Sequence, residues 1–188
     1  LQLAVHFQQF PEARARIASM PPVVAKPESS SYTMIRERLR VITAPGDGDL
    51  RGYYEKRLEA DGALLANHYG AALAEVRWGD PKVAVASLAE LVELNPGVIL
   101  LQAALAQAQL AAGDKAAAKA TFEKGLSLSP RNVPLTVRYA QALLQDDKPK
   151  QAHAILLDLF NNVAATPEQI RLTALAASGA GDTGDAYY

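Results

Sequence analysis

Three histidines, His6, His68 and His153, are the only imidazoles available for metal binding or proton transfer, and no two of them stand at HExxH or HxxxH spacing. Zinc held by one helix needs such a pair, a turn apart on one face. His68 and His153 fall on separate predicted helices without an acidic companion in register, so packing or surface roles are expected for them. Gly179, Gly181 and Gly184 spell GxGxxG. That string cradles a pyrophosphate only between a strand and a helix, where the helix N-terminus meets the phosphates. Here an alanine-rich helical stretch precedes it, so nucleotide binding is not expected. Ser178 lies outside any GxSxG elbow. Asp146 and Asp147 adjoin a predicted helix boundary, where capping is expected rather than acid–base work. Arg36, Arg38 and Arg40 form a short basic run. It is expected to be a solvated face, with anion docking the lesser alternative. Cysteine is absent, which removes disulfide and thiolate chemistry. No catalytic residue, no metal cluster and no cofactor is assigned to the chain.

The bulk numbers narrow the remaining classes. The chain has 188 residues, of which 49% are apolar and only 6% aromatic. It is long enough for one domain or one short solenoid. Abundant alanine favours close helix packing over a β-sandwich. A formal net charge of -1 argues against nonspecific binding to nucleic acid or to an anionic membrane. No apolar run approaches the ~20 residues of a membrane span. Leu1 to Phe10 lacks the basic start and small-residue cleavage site of a signal peptide. The chain opens at Leu1 and stops at Tyr188 within a helical pattern, so a piece of a longer protein is expected.

A period organises most of the chain. Pro96 and Pro130 are 34 residues apart, and Ala84, Ala118, Ala152 and Ala186 keep the same interval. Gly79, Gly113 and Gly181 repeat in step, with Asp147 in the missing glycine position. Leu88, Phe122 and Leu156 follow the same spacing. Ala72, Ala106, Ala140 and Ala174 supply a small residue where two helices of a unit would meet. This interval marks the tetratricopeptide repeat, a helix–turn–helix unit that must stack to bury its apolar face. Units are predicted to begin near Leu65, Ile99, Val133 and Pro167. The glycine after each first helix suits a left-handed residue, and the aspartate after it suits an N-cap. Thr166-Pro167-Glu168-Gln169 reads as a capping box that opens the fourth unit. His68, Gln102 and Thr136 stand at the usual Trp position, so the repeat is degenerate.

Ahead of the repeats, Glu12–Ser19 is a short helical stretch and Pro21–Ser30 a linker. Tyr32–Val41 is helical, with Ile35, Leu39 and Ile42 on one face. Ala44-Pro45-Gly46-Asp47-Gly48 is a break, and a helix follows from about Asp49 to Ala60. The expected fold is an all-α tetratricopeptide-repeat α-solenoid of stacked antiparallel helix pairs. Residues 1–48 form an N-terminal helical segment and linker, and residues 49–188 the repeats, about three full units and a truncated fourth.

In this repeat the first helix of each pair, helix A, lines the concave side. Two rows fall there: Tyr69, Ala103, Val137, Arg171 and Leu73, Gln107, Gln141, Leu175, with Arg138 beside them. Tyr69, Leu73, Gln107, Arg138, Gln141 and Arg171 are therefore the candidate partner-binding residues. The mixture suits a peptide held by side-chain and backbone hydrogen bonds. The competing reading is a solvated inner surface, partly filled by another domain of the same protein. The Lys/Asn clamp for a C-terminal carboxylate is missing, because Tyr69 and Leu73 occupy its positions.

The order of segments also carries a resemblance. Arg14-Ala-Arg16-Ile17-Ala18-Ser19-Met20-Pro21 comes first, then Ser31-Tyr32 leading into Ile35-Arg36-Glu37-Arg38-Leu39-Arg40-Val41, then Tyr69-Gly70-Ala71-Ala72-Leu73-Ala74 and the repeats. From about Arg14 to Tyr188 the chain resembles the C-terminal half of bacterial HExxH zinc metallopeptidases of the β-barrel assembly-enhancing type. The resemblance implies a periplasmic parent that acts in outer-membrane protein assembly and quality control. It implies a docking or substrate-recruiting role for this segment. Its partner would be the assembly machinery, a client, or the parent's own protease domain. Zinc would belong to that protease domain, whose metal-binding helix is not among these residues. The alternative is a stand-alone repeat scaffold or adaptor, such as a pilus or secretion assembly lipoprotein.

Overall fold

The structure, a computed structural model, describes residues 30–46, 48–161 and 164–181. The expected Glu12–Ser19 helix, the linker before Ser30, and His6, Asp47, Asp182, Gly184 and Ala186 lie outside the described residues. Every regular element among the described residues is an α-helix: α1 Ser30–Thr43, α2 Arg51–Ala60, α3 Leu65–Trp78, α4 Pro81–Leu94, α5 Ile99–Ala111, α6 Lys115–Leu128, α7 Val133–Gln145, α8 Pro149–Phe160 and α9 Pro167–Ala180. The four helices A are α3, α5, α7 and α9, and each begins at the residue the period predicts.

Local chemistry sets these boundaries. The Asp80 carboxylate accepts from the Lys82 amide and Pro81 occupies the first turn of α4, so two of the unpaired N-terminal donors need no other partner. The side-chain carbonyl oxygen of Asn132 accepts from the Leu135 amide at the start of α7. Thr166 and Gln169 form the reciprocal capping box before α9. Gly113, Asp147 and Gly181 close their helices with φ of 85°, 54° and 81°. Gly79 departs from the expectation, with φ -120° and ψ -139°. There the Glu75 carboxylate folds back onto the Asp80 amide. A Cβ on Gly79 would displace that carboxylate, and the glycine is not in the left-handed region.

The described residues divide between two compact units, one ending at Asp114 and the other beginning at Lys115. In the first, α3 is the central helix. It packs against α1, α2, α4 and α5. Burial on all sides follows: Ala66, Asn67, Tyr69, Gly70, Ala72, Leu73 and Ala74 of α3 are all buried. Residues 30–48 thus belong to the same unit as the first repeat through α1 and its contact with α3. The buried Asn67 amide donates to the Arg57 and Asp61 carbonyls, and its oxygen accepts from Arg57 Nε at 2.8 Å. This one side chain ties the end of α2 to α3 through the Arg57 and Asp61 carbonyls and the Arg57 guanidinium.

In the second unit, α8 packs on α7 and α9, and α6 packs on α7. Ala118, Phe122, Ala140, Ala152 and Leu156 are fully buried. Phe122 and Tyr139 stack with centroids 5.1 Å apart. Gly179 lies against α8: a Cβ there would come 2.8 Å from the Pro149 Cβ. Gly179 and Gly181 therefore have structural duties, close packing and a left-handed helix end. Ala174 is only half-buried, whereas Ala72, Ala106 and Ala140 are buried as expected.

Gly70 is a second place where a side chain has no room. A Cβ would lie 2.2 Å from Tyr54 Cε1 and 2.4 Å from its Cζ. The Tyr54 ring of α2 rests directly on the α3 backbone. Gly70→Ala is expected to lower stability by about 1–3 kcal/mol through overpacking, read as a fall in the thermal midpoint. Ala140→Leu is expected to cost a similar ~1–3 kcal/mol in the second unit, where α7 meets α8. An unchanged midpoint for that variant would show that Ala140 is not the helix-contact position.

Candidate functional site

The candidate surface is the set of helix-A faces, and the two units treat it differently. In the first unit, α1 lies on α3. Tyr69 is 1% exposed and Leu73 8% exposed, both within one cluster with Met34, Val41 and Tyr54. The repeat register predicts open partner contacts at these two positions; they are core residues instead. The physical reason is that α3 is enclosed by α1, α2, α4 and α5, with Arg38 of α1 beside Tyr69.

The expectation for α1 holds only in part. Its pattern predicts arginines facing solvent and Ile35, Leu39 and Ile42 facing the protein. Arg36 is buried, Ile42 is exposed, and Leu39 alone of the three apolar residues is fully buried. Burial lowers the Arg38 guanidinium pKa from its ordinary value, and burial likewise raises the Tyr69 hydroxyl beside it, partly offset by Arg38. The organising charge is Glu37, which is 0% exposed. Its carboxylate accepts from Arg36 Nε at 3.1 Å, from Arg40 Nε at 3.0 Å and from the Tyr54 hydroxyl at 3.0 Å. Burial, then the Glu37 charge, raise the Tyr54 pKa far above its ordinary value, so this hydroxyl stays protonated and donates. At the far end of α1, Arg77 of α3 donates to the Val41 carbonyl and, at 2.8 Å, to the Ala44 carbonyl. The Trp78 indole N–H donates to the Gly46 carbonyl at 3.2 Å. These donors tie carbonyls at and just beyond the end of α1 to α3.

Gln107, on α5, is half-buried and engaged in contacts. In the second unit the same registers are more open. Gln141 on α7 and Arg171 on α9 are exposed, and Leu175 is 62% exposed. Arg138 is half-buried and engaged in contacts, and Val137 is half-buried. Within this unit the exposed positions combine an apolar side chain, a primary amide and a guanidinium. That combination can bury an apolar stripe while meeting polar groups along its edges. Leu175 belongs to the row read from the sequence but not to the six candidates, yet its exposure makes it the more informative residue there. A large aliphatic side chain at a solvent-facing register was the signal for it.

The other candidates have structural explanations. His68 Nε2 is 2.7 Å from the Gly62 carbonyl, and His153 is buried on α8. Among the described residues, no group of three His, Cys, Asp or Glu side chains is arranged to hold a metal. No helix among them is long and apolar enough to cross a membrane.

With this geometry in place, comparison with known proteins gives a consistent fold. A tetratricopeptide-repeat family model matches residues 101–132. The chain is similar to a crystal structure of the MamA protein, with a TM-score of 0.59 and 17% identity over 86% of this chain and 88% of that one. A second MamA structure gives 0.60 and 18%, over 82% and 88%. TTC0263, a thermophilic tetratricopeptide protein from Thermus thermophilus, gives 0.59 and 17%, over 83% and 80%. No curated protein matches the chain. The fold is all-α, built of tetratricopeptide-type helix pairs.

Asp146 is the C-cap residue of α7, and its side chain adds an electrostatic role. Its carboxylate takes Lys115 Nζ at 2.6 Å and Lys148 Nζ at 2.5 Å, tying the start of α6 to the end of α7. The hydrogen bond from Lys115, then that from Lys148, hold its pKa down to about 2. A carboxylate whose folded pKa is depressed stabilises the fold above its unfolded pKa of about 4. That stabilisation is lost as pH falls from about 4 to about 2. The thermal midpoint of Asp146→Asn is therefore expected below wild type at neutral pH, and the two should converge as titration passes through this window. A gap that persists unchanged at the acid end would show that the ion pairs are not its source.

Proposed function

We propose that this chain is a noncatalytic protein-binding module whose helix-A faces hold a helical segment of a partner. The observation that carries the reading is the seating of α1 on α3, with Arg38 beside Tyr69 and with Met34, Val41, Tyr69 and Leu73 in one cluster. The molecule's own chain uses a helix-A face to bury a helix. At the matching registers of the second unit, Gln141, Arg171 and Leu175 are exposed. A partner helix on that face would bury Leu175 and meet the amide and guanidinium groups of Gln141, Arg138 and Arg171.

In its finer form, the module is the docking or substrate-recruiting tail of a periplasmic zinc metallopeptidase active in outer-membrane protein assembly. The partner is then the assembly machinery or the parent's own protease domain, and the zinc sits in that domain. The sequence resemblance from Arg14 onward supports this. The rival reading is a stand-alone repeat scaffold or adaptor. The residues encoded upstream of Leu1 separate the two. An HExxH helix there supports the protease tail, and a lipobox supports the scaffold.

Replacing the exposed Arg171 by Glu is expected to weaken partner binding while helicity and thermal midpoint stay near wild type. The loss should be about 2 kcal/mol if this guanidinium anchors the interface, and only a few tenths if it is merely solvated. Photo-crosslinking in cells from Gln141 and Arg171, against the exposed Lys119 of α6, is the direct measurement. Equal yields from both faces would sink the reading.

A further inference from the structure

We propose that α1 is a resident ligand of the α3 face, exchangeable for an external amphipathic helix of the same chemistry. That chemistry is a carboxylate at the Glu37 register, with apolar residues at the Met34 and Val41 registers on either side of it. The proposal rests on the reading that helix-A faces bind helical segments, and it names the regulation and the partner of one of them.

Topology makes α1 separable. Among the described residues α1 packs chiefly on α3. It meets α2 through the Glu37–Tyr54 hydrogen bond and through the Arg40 guanidinium over the Tyr53 ring. The helices α2, α4 and α5 also pack on α3 directly. Departure of α1 would uncover the side of α3 that carries Tyr69, where Arg38 stands, and would leave those direct contacts made. The Tyr54 ring would keep its place on the Gly70 backbone while its hydroxyl lost Glu37.

The way α1 is held points the same way. Met34, Leu39 and Val41 are buried, but so are Arg36 and Glu37. Burying a charged cluster costs desolvation that its ion pairs repay only in part, so such a seat selects its occupant more than it tightens the grip. The donors that finish the seat belong to α3: Arg77 serves the Val41 and Ala44 carbonyls, and Trp78 serves Gly46. An external helix ending at the same register would present the same orphaned carbonyls to Arg77. The tether that follows α1 contains Pro45, Gly46 and Gly48, which cannot extend the helix into α2.

A face occupied by its own chain takes an external ligand only in the fraction of molecules where the resident has left. Weakening the resident without touching the face should therefore strengthen binding of an added helix. The test uses the full chain as wild type, Glu37→Gln and Met34→Ala. Both substitutions lie on α1 and leave Arg77, Tyr54 and Tyr69 intact. The second removes only apolar contact, in case the first does not fold. The probe is a fluorescein-labelled peptide of residues 30–46, followed by anisotropy. In parallel, hydrogen exchange is measured for residues 30–44 and for residues 65–111.

The expected result is faster exchange, by about tenfold or more, confined to residues 30–44. Peptide affinity should rise about tenfold over wild type, and a peptide carrying Glu37→Gln should lose that gain. Exchange that quickens together across residues 30–44 and 65–111 would overturn the proposal, because α1 would then be an inseparable part of the core. So would a peptide affinity that the α1 substitutions leave unchanged. If that unchanged binding is abolished by Leu175→Glu, the peptide sits on the second unit's face; the helix-A reading then stands and the resident-ligand proposal falls.

Discussion

The first unit is organised around a carboxylate that never meets water. Glu37 is fully buried, and a buried charge is tolerated only where other groups replace its hydration. Arg36 and Arg40 supply charge, and the Tyr54 hydroxyl supplies a neutral donor. Each of these places a demand elsewhere. The Tyr54 oxygen reaches Glu37 only because its ring lies on the α3 backbone, and the ring lies there only because residue 70 has no Cβ. Gly70, Tyr54 and Glu37 thus form one line of dependence through α3, α2 and α1. While α1 is seated, a shift of any of the three helices would leave a charge or a hydroxyl unpartnered, which fixes the register of the seated helix more tightly than apolar contact alone.

The repeat was legible in the sequence because it is enforced by small residues and turn chemistry, which are local. Ala72, Ala106 and Ala140 are small where helices touch, and the Thr166–Gln169 capping box needs only four residues to declare itself. All four helices A accordingly begin where the period places them. The helix α1 was legible too, but not the way it packs. Its pattern, with Ile35, Leu39 and Ile42 on one side and arginines on the other, reads as a surface helix if apolar means buried. The buried face is instead polar at its centre, because the partner of Glu37 is a tyrosine on another helix, 17 residues away. A long-range hydrogen bond leaves no trace in local periodicity.

The same limit explains the candidate site. Register shows which residues share a helix-A face but not what already covers that face. Tyr69 and Leu73 hold the same positions as Arg171 and Leu175, respectively, yet one pair is buried and the other is exposed. The residue types record the difference once it is known. Where α1 sits, the positions are an aromatic and an aliphatic residue; at the open α9 face, one of the two has become a guanidinium.

That contrast is also the argument for function. A repeat array has many equivalent faces, and identical faces cannot discriminate between ligands. Here degeneracy at the helix-A registers breaks the equivalence. The first unit's face matches one particular helix, down to an arginine placed for its terminal carbonyls. The second unit's face keeps the amphipathic character but exposes it. A chain that fills one face with its own helix and leaves another exposed turns a uniform repeat into a surface with an address.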